Sequence, residues 1–210
     1  LMQVQDNTLS PRFGGPIIGA IRDFITAAYL FTRKSTLLTE KEVCELLIVA
    51  GYEGSLPDPA LKKPKPLWSG KQIFSLFLPK GLNYVLKASI CQNCDECKRE
   101  ECEHDAYVVV KDSVLASGVI DRNSIGAEKS ESLLHRIIKD YGTEAGRAFL
   151  NQISRLLTTF ITMRGFTYSF DELDLSSDAK RKIRQIMRRA ETKVDDFTKK
   201  LQDGTLERLP

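Results

Sequence analysis

The chain contains only two histidines, His104 and His135, and neither stands beside the paired acids Asp171-Glu172 or Asp195-Asp196. This removes the residue most used for general acid–base chemistry from nearly the whole sequence. His135, between Leu134 and Arg136 in a helical pattern, reads as a helix-edge structural residue. No apolar run is long enough to cross a bilayer. With 42% apolar and 28% charged residues, the composition excludes a membrane span, a disordered tail and a fibrous repeat. Charge of one sign is equally scarce: 31 basic residues face 28 acidic ones, and a net charge of +3 cannot by itself argue for nucleic acid. Any basic patch must be local. No Gly-Lys-Ser/Thr follows Gly14-Gly15-Pro16, so that turn is not a Walker loop. No basic segment followed by an apolar run opens the chain, so nothing points to secretion. What remains is a soluble globular chain of one large or two small domains, 210 residues long, with no self-sufficient active site. Its first residue is Leu1, as expected of a piece excised from a longer polypeptide.

Cysteine is sparse but concentrated. Of five, Cys91, Cys94, Cys97 and Cys102 form C-x2-C-x2-C-x4-C, followed at once by Glu103-His104. Thiolates this crowded share a cation more readily than they reach disulfide geometry, which implies a reducing compartment. Four sulfurs satisfy a tetrahedral Zn²⁺, whose binding would order a loop with little core of its own. Bacterial ferredoxins use a similar run for iron–sulfur clusters, but with one residue fewer and a following proline. Unligated thiols are the third reading, and His104 could replace one cysteine. Cys44, within an amphipathic pattern, is expected to be an ordinary half-buried thiol.

The chain divides by periodicity. After the turn Pro11 to Pro16 comes an apolar stretch. Thr39 and Glu42 then have capping-box spacing before Val43, Leu46, Leu47 and Ala50, which predicts a helix ending at Gly51. Pro57, Pro59, Pro64 and Pro66 make residues 52–68 a surface connection. Ser69 and Gln72 open a short helix to Phe77, and β-branched runs at 106–110 and 114–120 predict a hairpin around Lys111-Asp112-Ser113. Leu133, Leu134, Ile137 and Ile138 mark one helix, and Phe149, Ile153, Leu156, Phe160 and Met163 a longer one before Gly165. Residues 166–175 read as irregular and acidic.

Ser177 is the expected cap of a final helix to about Gln202. There Ile183, Met187, Ala190, Val194, Phe197 and Leu201 alternate steps of four and three, the seam of a coiled coil that needs a partner helix. That partner is expected beyond Pro210 or in another chain, unless the Phe149–Met163 stripe serves. Lys180, Arg181, Lys182, Arg184, Arg188 and Arg189 crowd the start of this helix. They read either as a surface for phosphate or an acidic partner, or as a solvated face.

Several ordered motifs carry a resemblance over essentially the whole chain. Asn7-Thr8-Leu9-Ser10-Pro11-Arg12-Phe13-Gly14-Gly15-Pro16-Ile17-Ile18-Gly19 is similar to the archaeal form of the largest subunit of multisubunit DNA-directed RNA polymerases. So are Ser117-Gly118-Val119-Ile120-Asp121, Leu134-His135-Arg136-Ile137 with Asp140-Tyr141-Gly142, and Gly165-Phe166-Thr167. The resemblance implies a pore domain at 1–165, with a Cys-rich loop at about 91–104, and the first part of a funnel at 166–210. The expected fold is α+β, mainly helical, with a small antiparallel hairpin, a Cys-rich metal loop and a protruding C-terminal coiled-coil helix.

It further implies that Arg12, Gly14, Gly15, Pro16, Arg22 and Asp23 line a secondary channel through which nucleotides arrive and backtracked RNA leaves. Family members often carry an amide or histidine where this chain has Arg22. Lys180, Arg181, Arg184 and Arg188 would face a transcript-cleavage factor or another channel partner. Partners would also include the other polymerase subunits, with DNA template, RNA and nucleotides met through the whole cytoplasmic enzyme, and no membrane. The family's catalytic Mg²⁺ sits on an Asp-rich loop that is absent here, as are the bridge helix and trigger loop. This chain alone is therefore expected to be inert, with its own zinc purely structural. The rival reading is a free-standing zinc-binding interaction module.

Overall fold

Local sequence rules account for most of the helix boundaries in the computed structural model, which describes residues 3–206. The outer limits of the expected 1–165 and 166–210 divisions, Leu1, Met2 and residues 207–210, lie outside the described residues. Two compact units form, Leu1–Gly165 and Phe166–Pro210.

In the first unit, helix α1 (Asp23–Thr32) leads to the two-residue strand β1 (Leu37–Leu38) and helix α2 (Glu40–Ala50). The capping box of α2 is complete. The Glu42 carboxylate accepts from the Thr39 N–H at 2.8 Å, Thr39 Oγ1 accepts from the Glu42 N–H, and Gly51 ends the helix in left-handed conformation. Strand β2 (Trp68–Ser69) pairs antiparallel with β1 and runs into helix α3 (Gly70–Ser75), again opened by a capping box, between Ser69 and Gln72. This helix stops two residues short of the expected Phe77.

A three-stranded antiparallel sheet follows, made of β3 (Tyr84–Lys87), β4 (Tyr107–Lys111) and β5 (Val114–Ser117), in that order. The expected hairpin is its β4–β5 half. Asp112 and Ser113 both take positive φ, the two-residue turn whose twist suits a hairpin. β5 ends at Ser117 rather than Ile120 because Gly118, at φ +86°, turns the chain out of the strand. A Cβ there would lie 2.3 Å from the Val108 Cα. β3 escaped sequence reading because it is four residues long and only half its side chains are covered.

Helices α4 (Arg122–Ile125), α5 (Leu133–Tyr141) and α6 (Thr143–Arg164) complete the unit. α6 is its axis and packs on α1, α2 and α5. Phe31 meets Phe160 edge to face at 4.9 Å between ring centroids, and Phe74 meets Phe149 at 6.2 Å. Each large side chain so buried stabilises the fold by about 1.5–3 kcal/mol.

The second unit holds a single helical turn, α7 (Phe170–Leu173), within the stretch read as irregular, and the long helix α8 (Ser177–Gln202). Its cap is Ser176, one residue before the expected Ser177, and the Ser176 hydroxyl accepts from the Ala179 N–H at 3.2 Å. No residue of α7 or α8 is buried. About half of the chain is helical, and the fold is α+β with two small antiparallel sheets.

Candidate functional site

Residues 8–17 close on themselves through main-chain bonds. The Ile17 N–H donates to the Thr8 carbonyl, the Ser10 N–H to Gly15 and the Gly14 N–H to Ser10, each at 2.8 Å. Gly14 supplies the left-handed φ of +72° that this narrow reversal requires. Gly15 and Pro16 are buried, while Arg12 and Gly14 stand exposed at the tip. Beyond the loop, the Ala20 N–H donates to the Ile125 carbonyl at 2.8 Å and the Glu128 N–H to Pro16 at 2.9 Å. The N-terminal motif is thus stitched to the stretch after Asp121. Arg22 and Asp23 are exposed where α1 begins, with Arg22 at φ +47°. Of the six residues expected to line a channel, four present surface and two hold the loop shut.

The cysteine run lies between β3 and β4. Cys91, Cys94, Cys97, Cys102 and His104 all line one cleft of about 210 Å³, and none of the thiols is in a disulfide. Among the described residues no three His, Cys, Asp or Glu side chains are grouped closely enough to hold an ion as they stand. The donor chemistry nevertheless fits Zn²⁺: four thiols of one loop face a shared cleft, and only that loop, exposed apart from Cys91 and Cys102, would have to close. A hard Mg²⁺, which takes oxygen ligands in octahedral geometry, does not fit a thiol set.

Immediately after the cleft lies a buried charge pair that sequence reading missed. The Asp105 carboxylate accepts from Lys71 Nζ at 2.7 and 2.8 Å and from the Gly118 N–H at 2.9 Å, with Asp105 only 8% exposed. Burial lowers the pKa of Lys71, and the Asp105 hydrogen bond and charge oppose that shift. A charged residue directly before the apolar run Ala106–Val110 was the available signal, but its partner lies 34 positions away. Tyr84 is shifted too: burial, then the charges of Asp121 and Glu131, push its pKa up, while its hydroxyl donates to the Glu131 carbonyl at 2.9 Å.

His135 serves the start of α5. Its Nδ1 accepts from the Glu131 N–H at 3.1 Å, and its own N–H donates to Ser132 Oγ. Cys44 is exposed rather than half-buried, because it sits one step off the Val43–Leu47 face of α2. On α8, Lys180 pairs with Asp174 at 2.7 Å and Arg181 with Asp178 at 2.8 Å. Arg184 and Arg188 are exposed and form no ion pair among the described residues. The ridge residues Ile183, Met187, Val194, Phe197 and Leu201 are all exposed. No helix among the described residues is long and apolar enough to cross a membrane.

Residues 7–173 match the family described as RNA polymerase Rpb1, domain 3. Over its whole length the chain is 48% identical to the DNA-directed RNA polymerase subunit Rpo1N of Methanocaldococcus jannaschii and 40% identical to that of Sulfolobus acidocaldarius. It is 32% identical to the DNA-directed RNA polymerase III subunit rpc1 of Schizosaccharomyces pombe. It spans 16%, 24% and 16% of these relatives respectively.

Proposed function

The chain belongs to the RNA polymerase Rpb1 domain 3 family, and on that premise we propose that it forms wall rather than catalyst: the pore and first funnel segment of a polymerase's secondary channel. The observation carrying this reading is the closed 8–17 loop, whose main-chain bonds hold Arg12 and Gly14 outward on a fixed base. A wall must present charge at a defined place without contributing to the chemistry. Exposed Arg12 and Arg22 would draw incoming nucleotide phosphates by field rather than by a built pocket.

In complete polymerase, Arg12→Ala with Arg22→Ala should raise the nucleotide concentration for half-maximal elongation by up to about fivefold at low salt, the scale of exposed charges, and leave the saturated rate unchanged. An unchanged nucleotide requirement would refute the channel role.

The exposed basic stretch of α8 supports a second element of the proposal. Lys180, Arg181, Arg184 and Arg188 face an acidic transcript-cleavage factor or another channel partner, and the apolar ridge of α8 packs on a further polymerase helix. Replacing the four with Ala should weaken factor binding more than elongation, and equal loss of both would contradict it. The setting is the cytoplasmic transcription machine, with other polymerase subunits, template DNA and RNA met through the whole enzyme. Cys91, Cys94, Cys97 and Cys102 would hold a structural Zn²⁺ that orders their loop. One zinc per chain without iron absorbance supports this, and Cys94→Ser should abolish it.

A further inference from the structure

Both ends of the cysteine loop are bonded to the body of the first unit, but unequally. At its start the Cys91 N–H donates to the Ala88 carbonyl at 3.0 Å, and the Ala88 N–H to Ala106 at 2.8 Å. At its end the Cys102 carbonyl accepts twice, from the Asp105 N–H at 3.0 Å and from Lys34 Nζ at 3.4 Å. Asp105 then reaches three other places. Its carboxylate takes Lys71 of α3 and the Gly118 N–H at the exit of β5, and its carbonyl accepts from the Val119 N–H at 3.0 Å. Lys34, which follows α1, stands 4.0 Å from the same carboxylate. Lys71 is nearly as enclosed as Asp105, their side chains being 12% and 10% exposed, so neither charge has water to fall back on.

We propose that Asp105 is a positioning residue that couples metal binding in the cysteine cleft to the order of α3 and the β5 exit. The inference rests on the zinc reading above. A cation held by the four thiols fixes Cys102, and hence the Cys102–Asp105 turn. Through its carboxylate that turn holds Lys71 and Gly118, which lie outside the loop. The coupling is reciprocal, as any linkage must be: the Lys71–Asp105 pair presents Cys102 to the metal already in place, and so slows metal loss. Groups that orient a ligand in this way typically alter metal affinity about 10–100-fold.

Zinc content of the 210-residue chain is measured first. Amide hydrogen exchange is then followed with zinc bound and after chelation. Chelation is expected to raise exchange in residues 91–102 and also at Gly118, Val119 and in α3. In Asp105→Asn the loop should still respond to chelation, and Val119 with it through the retained main-chain bond, but Gly118 and α3 should no longer do so. Zinc should pass to a competing chelator about tenfold faster than from the unsubstituted chain. A chain that takes up no zinc overturns the metal reading and the coupling with it. Zinc uptake with exchange changes confined to residues 91–102 overturns the coupling alone, and needs no variant to fold. A release rate from Asp105→Asn equal to that of the unsubstituted chain does so as well.

Discussion

Leu1–Gly165 and Phe166–Pro210 treat the same kind of helix in opposite ways. In α6 the apolar residues step by four and three, and Phe149, Ile153, Leu156 and Phe160 are all buried against α1, α2 and α5. In α8 an equally regular stripe runs from Ile183 to Leu201, and among the described residues of its own unit nothing covers it: Phe160 is 3% exposed, Phe197 55%. Periodicity therefore states which face of a helix requires cover but not what supplies it. The two units share local chemistry, since Thr39 caps α2 as Ser176 caps α8, and differ in what packs on the capped helix.

The contrast breaks most readily at a phenylalanine. Phe149→Ala should destabilise the first unit by about 3–5 kcal/mol, read from urea unfolding, while Phe197→Ala in the same chain stays within about 0.5 kcal/mol. Comparable losses would mean that α8 is covered after all. Gly118→Ala should lower the stability of the first unit by about 2 kcal/mol or more, because a left-handed φ coincides with a Cβ meeting the Val108 backbone.

Tyr84 gives the pH test. Its pKa is raised in the folded chain, so the stability it contributes is complete below its ordinary value of about 10 and is lost as pH rises beyond that. Stability should fall there by up to about 1.4 kcal/mol per pH unit relative to Tyr84→Phe. Lys71 acts in the opposite sense, its lowered pKa favouring the fold as pH rises towards its ordinary value of 10.5. The comparison with Tyr84→Phe cancels that contribution. The smallest effect sharpens the contrast. Thr39→Ala should cost the global stability of the first unit about 1 kcal/mol, whereas Ser176→Ala should only fray the first turn of α8, seen as faster exchange at Ala179 with the unfolding midpoint unmoved.

Much of this was legible beforehand for a definite reason. Capping boxes, the Asp112-Ser113 turn and the α5, α6 and α8 stripes are written within a few residues of one another, so sequence spacing alone reports them. α1 and β3 were harder: α1 has no polar stripe to give it a period, and β3 is too short to show alternation. At the candidate site, the turn from Pro11 to Pro16 followed from its glycines and prolines. The exposure of Arg12 against the burial of Gly15 and Pro16 did not, since it depends on bonds between Ala20 and Ile125 and between Pro16 and Glu128, far along the chain.

The amino-acid order by itself determined the helix ends, the hairpin turn, the clustering of four thiols and the apolar ridge of α8, because each depends on neighbours within about one or two turns of chain. Only the tertiary structure decided that Asp105 and Lys71 meet under cover beside the cysteine cleft, and that the α6 stripe is buried while that of α8 is not. Those outcomes turn on water being excluded by segments distant in sequence, and no local spacing encodes which segment will arrive to exclude it.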